Sequence, residues 1–217
     1  MSGRRWAVSG PACDPAASGS RERGQSLVEF SMIVPVFLIL LLGILEMGFA
    51  FDHLLTISYA SREGARTGAA LADGAKLPTC GDVDKYVVSA VERVLTSEGS
   101  PVRTHLADIS SIRVFKSNAT GGEAGPVNVW TPSMDGSGNG TGPTVDGRAL
   151  HFAQTSSSWA QCTRSKTTAN PDSIGIRISY TYRATTPLAG IMRFIGGSGS
   201  ATLTMTDRSV MALNPTD

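Results

Sequence analysis

Two residues five positions apart, Gly24 and Glu29, carry the chemistry legible in this chain of 217 residues. The peptide bond after Gly24 follows a basic segment containing Arg21 and Arg23 and precedes Gln25-Ser-Leu-Val-Glu29-Phe30. Hydrolysis there frees an amine on Gln25, and Glu29 is the carboxylate placed to meet such an amine. In a helical stack the amine of one copy can meet Glu29 of another, which offsets the cost of burying both charges and fixes axial register. A simpler reading also accounts for the acid, since a carboxylate near a helix N-terminus is favoured by the helix dipole. That reading leaves the Gly24 junction unexplained.

These residues need a helix to hold them, and the sequence supplies a long one. From Leu27 to Phe51 nearly every residue is apolar, with Glu29 and Glu46 as the only charges. Twenty-five helical residues reach about 37 Å, more than the roughly 30 Å of a bilayer's hydrocarbon core. The run is too long for the apolar part of a secretory signal and reads as one membrane span. An acid inside such a span is expensive and usually functional. Glu46, at the far end, is accounted for by the interface. Pro35 removes one helical hydrogen bond, which membrane helices tolerate, and it marks an expected kink. Arg4, Arg5, Arg21 and Arg23 outnumber Asp14 and Glu22 in the first 24 residues, so the N-terminus is expected inside the cell. Prolines, glycines and serines make this leader a poor candidate for folding. Residues beyond about Tyr59 are expected outside. The membrane would then sort the three cysteines. Cys13 stays in the reducing compartment, while Cys80 and Cys162 meet an environment where they can pair. A disulfide closing so long a loop stabilises by roughly 4.5 kcal/mol at most; two unpaired buried thiols are the other reading.

The residues Arg23-Gly24-Gln-Ser-Leu-Val-Glu29-Phe30, the apolar run with Pro35 and Gly43, Glu46 at its end and Ser61-Arg-Glu-Gly-Ala-Arg66 resemble the TadE-like proteins of the tight-adherence pilus system. These are minor pilins or pseudopilins of the type IV family. Ser179-Tyr-Thr-Tyr182, Pro187-Leu188 and Ala201-Thr-Leu-Thr-Met205 match more weakly. The resemblance implies cleavage after Gly24 by a membrane prepilin peptidase. It also implies assembly with other pilin-like subunits and the pilus assembly platform, with Glu29, Phe30 and Pro35 at the assembly surface.

The helical pattern continues past the membrane. Ala60, Gly64, Gly68 and Ala72 fall four apart on one face, a small-residue ridge that lets another element approach closely. Glycine costs up to about 1 kcal/mol inside a helix, so a neighbouring helix or the protein's own sheet should occupy the space. Asp73-Gly74 reads as the stop. The unit from Gln25 to about Leu71 resembles the long N-terminal helix of a pilin.

Residues 73–217 are long enough for one modest core. Val83, Tyr86, Val87, Ala90, Val91, Val94 and Leu95 repeat at helical spacing, with Asp82 as the expected N-cap. Ile109–Phe115 and, more weakly, Val127–Trp130 read as strands. Ile174–Tyr182 and the segment from Ala201 alternate apolar and polar, as half-buried strands do, and are expected to form a hairpin on the long helix, with a loop or short turn at 187–194. Residues 117–149 are rich in Gly, Ser, Thr and Asn and read as a long exposed loop. Trp159 reads as packing. The fold class expected is α+β and pilin-like: a long N-terminal transmembrane helix, one further helix and a small antiparallel sheet.

The sequence also excludes chemistry. The three histidines, His53, His105 and His151, lack metal-ligand spacing, and neither a nucleophile elbow nor a phosphate cradle is present. A net charge of +1 with no basic patch interleaved with aromatics argues against nucleic acid. No enzyme, cofactor or small-molecule substrate is expected. The competing class is a membrane-anchored binding module that keeps its leader.

Overall fold

A computed structural model describes residues 19–167, 169–187, 190 and 202–213. Most of the expected leader, with Cys13, lies outside them, as do Ala201 and most of the turn expected at 187–194. Residues 1–44 and 45–217 form two units, and helix α1 (Gly19–Leu71) runs through both. It begins upstream of the Gly24 junction, so the expectation of an unfolded leader fails for its last residues. Ser20, Arg21, Glu22 and Arg23 contain no helix breaker, and the leader's prolines lie further upstream. The helix is unbroken at Pro35.

In the first unit the helix is apolar on all sides and exposed on all sides. Phe30, Met32, Ile33, Phe37, Leu40 and Ile44 are each more than half exposed. A helix apolar all round belongs in a lipid or protein interior, and this one is long and apolar enough to cross a membrane.

The second unit is α+β. After Leu71 the chain turns through Ala72 and Gly74, both at positive φ (48° and 75°), and the Asp73 carboxylate accepts the Ala75 amide. A short 3₁₀ turn at Cys80–Asp82 leads into α2 (Val83–Leu95). Asp82 does not cap this helix through its side chain; it pairs with Lys85 at 3.0 Å instead. Val83, Val87, Val88, Ala90, Val91 and Leu95 are buried, close to the expected face.

The sheet order is β5-β2-β1-β6-β7, all neighbours antiparallel. Its strands are β1 (Ile109–Ser117), β2 (Glu123–Pro132), β5 (Phe152–Ser157), β6 (Ser173–Arg183) and β7 (Thr202–Ala212). β6 and β7 pair along their whole length, from Ser173 opposite Ala212 to Arg183 opposite Thr202. A separate two-residue hairpin joins β3 (Thr144–Val145) to β4 (Arg148–Ala149). Its turn residues, Asp146 and Gly147, both have positive φ, as a two-residue turn of this kind requires.

The long loop expected over 117–149 is therefore corrected. It contains β2, β3 and β4, and the glycines and asparagines mark the turns between them. Asn118 Oδ1 accepts the amides of Thr120 and Gly122, and Asp135 Oδ1 accepts those of Ser137 and Asn139. Each of these polar residues closes a tight turn with its own side chain.

β6 carries the centre of the core. Ile174, Ile176, Ile178, Tyr180 and Tyr182 are buried, and Ile57, Ala60, Ala65 and Ala69 of α1 join the same cluster. Gly64 and Gly68 explain how closely the layers approach. A Cβ on Gly64 would stand 2.5 Å from Val91 Cγ2, and one on Gly68 would stand 2.5 Å from Ile174 Cδ1. Of the two occupants open at the sequence level, the protein's own α2 and sheet fill the space.

Gly64→Leu is accordingly expected to lower unfolding stability by about 1–3 kcal/mol through overpacking. Gly48, with open space around its Cα, serves as the control. Gly48→Leu should leave thermal unfolding in detergent unchanged.

Candidate functional site

The residues singled out for cleavage and assembly lie together at the start of the apolar helix. Gly24 is exposed, and nothing lies within 4 Å of where its Cβ would be. One turn on, the Gln25 side-chain amide donates to Glu29 Oε1 at 3.0 Å. From Gly24 onward, no basic side chain among the described residues lies within ion-pair distance of Glu29. The neutral Gln25 amide leaves its carboxylate capacity for a cation. Phe30, 67% exposed, and Pro35, also exposed, sit on the same bare stretch. Ala60, Gly64 and Gly68 are different: all three are buried inside the second unit.

Sequence reasoning missed how α1 is fastened to the sheet. Glu46 was expected to be an interfacial charge. Its Oε1 accepts the Tyr182 hydroxyl and the Thr185 amide (3.1 Å), and its Oε2 accepts the Thr186 amide (3.0 Å). Tyr182 ends the Ser-Tyr-Thr-Tyr run of β6, and the two threonines follow the strand. A charge-assisted hydrogen bond of this kind is about twice as strong as a neutral one.

Two turns further along, the His53 ring donates from Nδ1 to the Phe49 carbonyl (2.8 Å) and stacks on Tyr180, with centroids 5.7 Å apart. Burial, then the charge of Asp108, pushes the Tyr180 hydroxyl up to about 12, so it remains neutral. Another two turns on, the Ser61 hydroxyl bonds to Asp207 and Ser209 of β7. Glu46, His53, Ser61, Gly64 and Gly68 thus meet β6 and β7 in order. The available signal was weak: a second acid in an apolar run, and two tyrosines spaced to share one face of a strand.

A second polar centre lies at the start of α2. Asp84 is fully buried, and its carboxylate takes Arg164 Nη2 at 2.7 Å and the Asn128 amide. Asn128 is held in turn by the Trp159 backbone, which it meets at 2.8 Å through both ends of its amide. The Arg164 guanidinium lies over the Trp159 ring, 4.1 Å from its centroid. Burial pushes the Asp84 carboxyl upward, against the pull of Arg164. The adjacent Cys80–Cys162 disulfide spans 5.2 Å between Cα atoms. It ties the start of α2 to the loop that carries Arg164.

Neither centre assembles a nucleophile with a base, and the described residues contain no group of His, Cys, Asp and Glu that could hold a metal ion. What distinguishes the chain is a bare apolar helix bearing one exposed acid, followed by the same helix fastened to a sheet. The profile of a family described as TadE-like protein matches residues 24–66. Over this stretch the chain is similar to TadE-like proteins. The matched segment begins at Gly24 and ends among the residues packed on β6, so it covers both the exposed and the fastened parts of α1. No curated protein and no solved structure matches the chain.

Proposed function

We propose that the chain is a minor pilin-like subunit of a tight-adherence pilus, cut between Gly24 and Gln25 by a prepilin peptidase. Its role is in the biogenesis, initiation or tip of the fibre. The supporting observation is the segment similar to TadE-like proteins, which starts at Gly24 within α1 and carries an exposed acid, Glu29, five residues on. The arginine-rich leader faces the cytoplasm, and the sheet-bearing unit lies outside the membrane.

The outer membrane boundary falls at Glu46, earlier than the apolar run implies. The backbone amides of Thr185 and Thr186 lie outside any helix at the level of Glu46, and such irregular backbone does not enter lipid. Leu27–Leu45 remains, about 28 Å of helix, a close match to the hydrocarbon core. Partners are the membrane, the peptidase, other pilin-like subunits and the assembly platform.

The alternative is an uncleaved, single-pass membrane-anchored binding module outside the cytoplasm. It draws on the helix running unbroken through the Gly24–Gln25 bond, which a protease would have to unwind. The N-terminal residue of protein isolated from cells decides between them. Gln25 is expected when the peptidase is present, and the leader when it is deleted. A retained leader in both strains would establish the anchored module.

A further inference from the structure

Away from α1, the second unit carries a cleft of about 800 Å³ beside the end of α2, within the roughly 300–1,000 Å³ usual for ligand sites. Arg103 and Arg148 reach it from different elements, and Leu106, Pro132 and Met134 form its apolar wall. Both arginines are exposed, and among the described residues neither guanidinium has an ion-pair partner.

The acids around them are already engaged. Glu92 is 3% exposed, and it accepts both the His151 amide (2.8 Å) and His151 Nδ1 (2.6 Å). Asp135 spends both oxygens on its own turn, accepting the amides of Ser137 and Asn139 and the Asn139 side chain. An adjoining cavity of about 180 Å³ shares Thr96 and Arg148 and adds Arg93 and Asp146. Along this face three guanidinium groups stand against three carboxylates, and those of Glu92 and Asp135 are turned to the groups they accept from, so Arg103 and Arg148 form no ion pair among the described residues.

We propose that this cleft binds a carboxylate-bearing ligand with an aliphatic stem. Arg103 and Arg148 would take the carboxylate, and Leu106, Pro132 and Met134 the stem. Arginine matches a carboxylate with two parallel hydrogen bonds. An organic carboxylate is favoured over inorganic phosphate because its stem can cover the apolar wall of the cleft, which phosphate leaves wet. The site does not depend on pilus assembly. The carboxylate could come from a free small acid or from an acidic chain segment.

The test uses the full chain in detergent micelles, with the Met134 methyl resonance as the readout. Glutarate, a hexaglutamate peptide and inorganic phosphate are the probes. A saturable shift is expected with one or both carboxylate probes. Glutarate binding as tightly as the peptide assigns a free acid, and binding by the peptide alone assigns an acidic segment. Arg103→Glu with Arg148→Glu should weaken binding at least about tenfold, while Arg66→Glu, elsewhere on the surface, should not. The neutral pair Arg103→Gln and Arg148→Gln gives the same comparison should charge reversal disturb folding. No saturable shift with either carboxylate, unchanged affinity in both double variants, or phosphate binding as tightly as glutarate would overturn the proposal.

Discussion

Arg164→Met should destabilise the second unit by about 3–5 kcal/mol, the usual cost of leaving one member of a buried ion pair alone. Arg164 and Asp84 both have fully buried side chains. Without the guanidinium, Asp84 keeps the Asn128 amide but loses its counter-charge. Its carboxyl, already pushed up by burial, then rises further. The sign of the resulting pH dependence follows from proton linkage. A carboxyl raised in the folded state binds more protons folded than unfolded, so stability falls as pH climbs. The variant should therefore be most stable below the ordinary carboxyl value of 3.8 and lose stability through the window above it. Chemical denaturation across pH measures this. Asp84→Leu with Arg164→Met should recover much of the loss, because apolar replacements of a buried pair are often neutral or better. A single variant as stable as the parent at neutral pH would show that the pair contributes nothing.

Glu29→Ala is the other large effect, and it should be invisible in the isolated protein. The Glu29 side chain is exposed and accepts the Gln25 amide of its own helix, so insertion, folding and abundance in the membrane should match the parent. Incorporation into pili should collapse. Removing one partner of a desolvated charge pair costs about 3 kcal/mol or more, over a hundredfold in association at each contact. Glu29→Gln separates charge from hydrogen bonding: it keeps an acceptor for Gln25 yet should assemble almost as poorly. Fractionating pili from membranes and quantifying the protein in each gives the answer. Ordinary pili from the alanine variant would dismiss the register role of this acid.

The parts of the fold legible in the sequence were those whose pattern is local. The apolar run of α1, the 3.6-residue spacing of α2 and the strict alternation of Ile174–Tyr182 each declare an element within a dozen residues. β2 showed only its centre, Val127–Trp130, and β5 not at all, for a physical reason. β2 contains Pro126 and Pro132 and β5 is mostly Gln, Thr and Ser, because each puts few residues into the core. The hidden parts of the site were distant pairings. Asp84 resembles an ordinary acid at a helix start until Arg164 arrives 80 residues later. Glu46 resembles an interfacial charge until its partner, 136 residues on, closes over it. Gly64 and Gly68 announced a close approach, but which surface would arrive was not written near them.

The order in which the chain is made gives these long separations a further meaning. Helix residues 46–68 are translated more than a hundred residues before β6 and β7, which cover them. Ser61 waits 146 residues for Asp207. A nascent chain therefore keeps the small-residue face of α1 uncovered until those two strands have been made. Contacts this distant in sequence also close slowly. During that interval the ridge that α2 and β6 cover in the folded unit has only α2 to meet it.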